Sequence, residues 1–425
     1  MRALAVIDGE HYPPVVEDAL RELPYEFSGA LLAGGTEKLG AGAEGYGVPV
    51  VDELEEALTR FRPDVVVDLS DEPVLGPRER FWLASRVLAA GLPYVGPDFR
   101  LDPPALAPFG LASVGIVGTG KRVGKTALSA HAARLLGADR DVVVVAMGRG
   151  GPPEAELIAA PPSADDLLER SRAGLHAASD HLEDAVLAGV VTVGCRRCGG
   201  GLAGMPATSN VAAGAALAAS RDPDLVLFEG SGAAFPPIET TRRLLVVPAS
   251  QQPELATGYL NAYRVLVSDL VVLTMAEEGS GWRRVRDAIH DVKRSMPLVP
   301  VVLRPRPIEP IVGRRIALFS TAEPAALPRL AAHLAEAHGA EAVHVSGNLG
   351  RRDELREDLA EMGEVDAFVT EIKAAAIDVV AEAAAERGVP VVFADTDVVP
   401  VAGADLDTEL RALADAAISE HRLAA

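Results

Sequence analysis

The chain has 425 residues, 49% hydrophobic and 24% charged, a composition that fits globular domains with sizeable cores and excludes a disordered chain. Its 40 Lys+Arg against 61 Asp+Glu leave a formal charge of −21, so a nucleic acid or an anionic membrane would be repelled. At roughly 100–200 residues per domain, the length implies more than one domain.

No run reaches the roughly 18 consecutive apolar residues that a membrane span needs. The opening MRALAVIDGEHYPP meets Asp8, Glu10 and Pro13 too soon for a signal-peptide core. Two cysteines cannot build a disulfide framework, which fits a reducing compartment, and the expected location is the cytoplasm.

In chain order, ALAVID, GALLAGG, DVVVDLS and PYVGPD are short apolar runs separated by the helical patterns VVEDALREL, DELEEALTRF and ERFWLASRVLAAG. Buried strands alternating with amphipathic helices are the pattern of a parallel sheet covered on both faces. Residues 1–108 are therefore expected to form an N-terminal Rossmann-like domain, ending in a proline-rich joint over 97–108. A second unit, 109–305, opens with ASVGIVGTGKRVGKTALSAHAARLL and continues through DVVVVAMGRGG, DLVLFEGSG, RLLVVPAS and DLVVLTMAEEG. A proline-dense joint is expected over 297–313. Residues 306–425 then read as a C-terminal α/β domain with strands in RRIALFSTAEP, AEAVHVSGNLG, VDAFVTEI and VPVVFADTDVVPV. The fold class expected is α/β, with three-layer parallel-sheet domains: a central P-loop NTPase domain flanked by two Rossmann-like ones.

Residues 116–130, IVGTGKRVGKTALSA, place Gly124, Lys125 and Thr126 at a strand-to-helix turn. In a phosphate loop the backbone N–H groups at a helix N-terminus wrap the phosphates. The lysine reaches the terminal ones and the Thr hydroxyl ligates Mg2+. The usual pattern wants glycine where Thr119 stands, and here Gly118 and Gly120 flank that position. Gly118, Gly120, Val123, Gly124, Lys125, Thr126 and Ala127 are the expected nucleotide-binding residues, with a plain helix-capping turn as the alternative. Only five lysines occur in the chain, and Lys121 and Lys125 both fall in this loop.

GTGKRVGKT resembles the GTxxxVGKT loop of dethiobiotin synthetase and its relatives, which implies that a charged residue early in the loop faces the reacting phosphate. Lys121 and Arg122 stand there, and with Lys125 they are the catalytic candidates. Glu229 closes the apolar run in DLVLFEGSGA, where P-loop proteins hold Mg2+, so Thr126 and Glu229 are the expected metal residues. Arg149 lies between glycines in AMGRGGPPE, and Arg196 and Arg197 stand just before the glycines of VGCRRCGGG. Guanidinium forks beside open backbone N–H groups suit phosphate oxygens, which makes these three arginines candidate substrate ligands. Cys195 and Cys198 have the spacing of half a zinc site, with no other cysteine to complete it. Asp8 and His11 in IDGEHYPP and Lys373 in TEIKAAAID follow strand candidates, where open α/β sheets bind ligands, as do residues 70–73.

Taken together, IDGEHYPPVV, GTGKRVGKT, GCRRCGGG, FEGSGA and TEIKAAAID resemble the cyclic 2,3-diphosphoglycerate synthetase family over nearly the whole chain. The resemblance implies an ATP- and Mg2+-dependent ligase that closes 2,3-diphosphoglycerate into its intramolecular phosphoanhydride and releases ADP and phosphate. It also implies a preference for K+ and a homodimer. The residues alone support phosphoryl transfer to an anionic acceptor. Two rivals use the same motifs: another dethiobiotin-synthetase-like ligase acting on a small carboxylic acid, and a nucleotide-switched metallochaperone delivering metal through Cys195 and Cys198.

Overall fold

The strand Arg2–Ile7 is buried at every position after its first and pairs in parallel with Glu26–Leu32 and with Val65–Asp68. Its connecting helices are amphipathic: Pro13–Glu22 buries Val16 and Leu20, and Leu54–Phe61 buries Leu54, Ala57 and Phe61. The computed structural model describes all residues except 36–44, 164–165, 167–168, 171–172, 174–179, 372–375 and 425. The first sheet has the order Val50–Val51, Glu26–Leu32, Arg2–Ile7, Val65–Asp68, Tyr94–Val95, Arg100–Leu101. Its order reverses between Arg2–Ile7 and Val65–Asp68, which sets the loops after these two strands side by side.

The chain divides into two compact units: 1–105 with 252–267 and 287–295, and 106–251 with 268–286 and 296–425. The return of two later segments to the first unit has no sequence signature. It rests on tertiary contacts such as the edge-to-face packing of Phe81 and Tyr259, with centroids 5.6 Å apart.

In the second unit one sheet has the order Thr208–Ser209, Val191–Cys198, Val142–Gly148, Leu225–Glu229, Ser113–Gly118, Arg242–Pro248, Leu270–Thr274, Leu298–Pro307, Val391–Pro400, Ala367–Thr370, Arg315–Phe319, Glu341–Ser346. Strands Val142–Gly148 and Leu225–Glu229 are buried along their whole length, as parallel strands covered on both faces must be. Each Val or Leu side chain so buried contributes about 1.5–3 kcal/mol relative to exposure. Ser113–Gly118 lies between Leu225–Glu229 and Arg242–Pro248, so the glycine-rich loop opens beside Glu229. The helix Lys125–Gly137 that follows is rich in alanine and buried on most of its surface.

The stretch 297–313, expected as a joint, is mostly the strand Leu298–Pro307. It runs parallel to Leu270–Thr274 and antiparallel to Val391–Pro400, so the sheet continues into the C-terminal third. The prolines do not forbid this. Ile308 N–H donates to Phe393 O at 2.9 Å, and strand alternation then turns the missing donors of Pro305 and Pro307 away from that neighbour. The architecture is α/β with mostly parallel sheets, and among the described residues no helix is long and apolar enough to cross a membrane.

Candidate active site

Gly124 adopts φ +92°, a left-handed conformation that glycine takes without strain, and the helix Lys125–Gly137 begins directly after it. At Gly118 a Cβ would lie 2.8 Å from Val123 Cγ2 and 3.2 Å from Lys125 Nζ, so only glycine lets the lysine fold back over the strand end. Lys125 Nζ donates to Gly120 O at 3.0 Å and closes the loop on itself. The result is a ring of backbone at a helix N-terminus, the geometry that binds phosphates.

Thr119, where the usual pattern has glycine, supports the loop through its side chain: Oγ1 donates to Gln251 Oε1 at 3.0 Å. Thr274 Oγ1 donates to Val123 O at 2.7 Å and pins the loop from the end of another strand. Sequence reasoning missed Gln251 and Thr274, because Thr274 closes an apolar strand and Gln251 lies in the loop after another, neither within a motif.

Thr126 Oγ1 donates to Glu229 Oε1 at 2.9 Å, and the two residues are 3% and 2% exposed. Both offer oxygen, the hard ligand that Mg2+ takes. Among the described residues no group of three or more His, Cys, Asp or Glu forms a metal cage. A metal at this pair would draw its remaining ligands from phosphate oxygens and water, as Mg2+ commonly does.

Arg149 and Arg197 converge at Gly232, where a Cβ would lie 2.7 Å from Arg149 Nη2 and 3.3 Å from Arg197 Nη2. Arg197 Nη2 also donates to Ser231 O at 2.7 Å and to Ser231 Oγ at 3.3 Å. Two guanidinium groups at one turn repel each other unless an anion sits with them, and this turn directly follows Glu229. Arg196 is exposed on the opposite face of the strand Val191–Cys198. Lys121 and Arg122 are exposed at the loop tip. Arg122 Nη2 lies 3.7 Å from the place a Cβ on Gly350 would take.

Cys195 and Cys198 also face opposite ways. Cys195 is buried, and burial pushes its thiol up to about 12, whereas Cys198 is exposed. The pair does not come together as a metal-delivering motif.

Asp8 and His11 belong to the first unit. Asp8 Oδ1 accepts the Glu10 N–H at 2.9 Å, the His11 N–H at 3.1 Å and His11 Nδ1 at 2.8 Å. Its Oδ2 accepts the Asp71 N–H at 2.7 Å, which joins the loops after Arg2–Ile7 and Val65–Asp68. Burial works to raise the Asp8 pKa, but the hydrogen bonds from His11, Asp71 and Glu10 outweigh it and hold the carboxyl below its usual value. Lys373 lies outside the described residues. Glu371 accepts from Thr321 N at 3.2 Å and Thr321 Oγ1 at 2.9 Å, and so anchors a neighbouring loop.

Three family models match this chain in order. The cyclic 2,3-diphosphoglycerate synthetase N-terminal domain matches residues 2–102, its P-loop domain 113–302 and its C-terminal domain 307–397. A curated cyclic 2,3-diphosphoglycerate synthetase from Rubrobacter xylanophilus is 52% identical, over 98% of this chain and 98% of its own. That of Thermococcus kodakarensis is 42% identical, over 95% and 96%, and that of Methanothermus fervidus 38%, over 93% and 92%.

Proposed function

The chain belongs to the cyclic 2,3-diphosphoglycerate synthetase family, and from that premise we propose that it uses ATP to close 2,3-diphosphoglycerate into its cyclic phosphoanhydride. The observation that carries this reading is the meeting of Arg149 and Arg197 over Gly232, on the turn that follows Glu229. Two phosphates on adjacent carbons repel each other, and a protein of charge −21 repels both. Such a substrate needs a local cluster of cations, which Lys121, Arg122, Lys125, Arg149 and Arg197 supply. Arg196 is left out because its side chain takes the other face of its strand, and Asp8 with His11 orders the loops of the first unit.

In the proposed sequence the γ-phosphoryl group passes to an oxygen of one substrate phosphate. The bond between the γ-phosphorus and the β-bridging oxygen breaks, and ADP leaves. An oxygen of the other substrate phosphate then attacks the phosphorus of the first. The bond to the transferred group breaks, phosphate departs and the ring closes. Lys125 and the loop N–H groups hold the β- and γ-phosphates, Lys121 and Arg122 face the transferred group, and Arg149 and Arg197 hold the acceptor. Thr126 and Glu229 would hold Mg2+, which when bound neutralises charge on the β- and γ-phosphates. Rate acceleration here comes from positioning and charge neutralisation.

The same proposal includes K+ as an activating ion and a homodimer, which the family resemblance supports, and a cytoplasmic location, which the low cysteine content supports. A phosphorus spectrum of the protein incubated with ATP, Mg2+ and 2,3-diphosphoglycerate tests the central claim. A cyclic pyrophosphate signal with equimolar ADP is the expected result. ADP release without that signal, or turnover only with a small carboxylic acid, would overturn it.

A further inference from the structure

Asn210 precedes the helix Val211–Ala219 at the position where an Asn side chain ordinarily caps the first N–H groups, yet it makes no such cap. Its Oδ1 accepts the Arg196 N–H at 2.7 Å, and its Nδ2 donates to Pro152 O at 3.2 Å and Pro153 O at 3.3 Å. The partners dictate this amide orientation, since an N–H needs an acceptor and two carbonyls need a donor. One side chain therefore ties the loop after Arg149 to the strand end that carries Arg197.

The ladder between Val142–Gly148 and Val191–Cys198 stops at the pair Gly148 and Arg196, one residue short of both arginines. The loop after Gly148 then folds back against the last paired residues of the strand: at Gly151 a Cβ would lie 2.0 Å from Cys195 O and 3.1 Å from Arg196 N. The Asn210 N–H also donates to Arg196 O at 3.2 Å, so Asn210 and Arg196 are joined twice. Asn210 thus ties the loop beyond Gly148 to Arg196, the last paired residue of the ladder and the neighbour of Arg197.

We propose that Asn210 is a positioning residue for the acceptor phosphate, holding the two loops in the register at which Arg149 and Arg197 meet over Gly232. This deepens the functional reading above and rests on it. Asn210 touches no substrate. It sets the distance between two cations that must grip one anion together, and a misplacement of about 1 Å at such a site can cost up to about 10²-fold.

Steady-state kinetics on the intact enzyme test the proposal. Asn210→Ala raises the KM for 2,3-diphosphoglycerate about tenfold, while the KM for ATP and the protection ATP gives against thermal unfolding stay unchanged. In an Arg197→Ala background the same substitution adds less than about threefold, because one of the two groups it registers is gone. Equal rises in both KM values, or full additivity in that background, would overturn the role. Asn210→Ser reads the same KM ratio if the alanine variant does not fold. Arg149→Ala and Arg197→Ala separate the two levels of the argument. If neither changes the acceptor KM, the functional reading fails. If both raise it while Asn210→Ala does not, only the positioning role fails.

Discussion

Thr126 and Glu229 stand 103 positions apart in the chain and are joined by one hydrogen bond of 2.9 Å, from the threonine hydroxyl to the carboxylate. The bond exists because Ser113–Gly118 and Leu225–Glu229 are neighbours in the sheet and end at the same edge. In the proposed function this pair of oxygen groups would hold Mg2+ beside the glycine-rich loop.

Replacing the acid by Glu229→Gln keeps the shape of that pair and removes its charge. The turnover number falls roughly 10²-fold, and the Mg2+ concentration for half-maximal rate rises in a metal titration. An unchanged Mg2+ dependence would place the metal elsewhere.

Lys125 lies at the first position of its helix, folded over Gly118. Lys125→Ala abolishes both ADP release and cyclic product, while the melting temperature without nucleotide shifts by only a few degrees. Retained turnover in an ADP-release assay would show that this loop is not where ATP reacts.

Arg196 and Arg197 are adjacent in sequence and opposite in direction. Arg197→Ala raises the acceptor KM by about tenfold or more, with ATP binding preserved, whereas Arg196→Ala leaves both constants within about twofold. Equal effects of the two substitutions would contradict the proposed assignment of Arg197 alone to the acceptor.

Asp8 predicts a pH dependence of stability. A carboxyl held below its ordinary value stabilises the folded state above the unfolded pKa of about 3.9, and that contribution is lost as pH falls through the folded value. Asp8→Asn should lower stability by about 1–3 kcal/mol at neutral pH, measured by urea unfolding. The gap to the unaltered protein narrows below roughly pH 3.9, and a gap that stays constant into acid would rule out the charge as its cause.

How far sequence reading reached is clearest at particular residues. The motif placed Gly124 at a strand-to-helix turn, and the structure gives it a left-handed backbone with φ +92°. The threonine at position 119 departs from the usual glycine pattern, and its hydroxyl donates to Gln251 at 3.0 Å, a partner that the pattern does not specify. Prolines in 297–313 suggested a joint, but the strand Leu298–Pro307 accommodates Pro305 and Pro307 because their lost donors would have faced away from Val391–Pro400. Cys195 and Cys198 have the spacing of half a zinc site but no further cysteine to complete it, and the strand turns one thiol into the core and the other out.

Local chemistry was therefore written in the chain: apolar runs that must be buried, glycines where backbone bends, a lysine and a threonine at fixed offsets from a strand end. These depend on neighbours a few residues away, and pattern alone specifies them. What tertiary structure decided was every partnership across distance. Thr126 with Glu229, Arg149 with Arg197 and Asn210 with Pro152 each follow from which strands lie side by side. That order is set by the packing of whole faces, a collective quantity that no short window of residues contains.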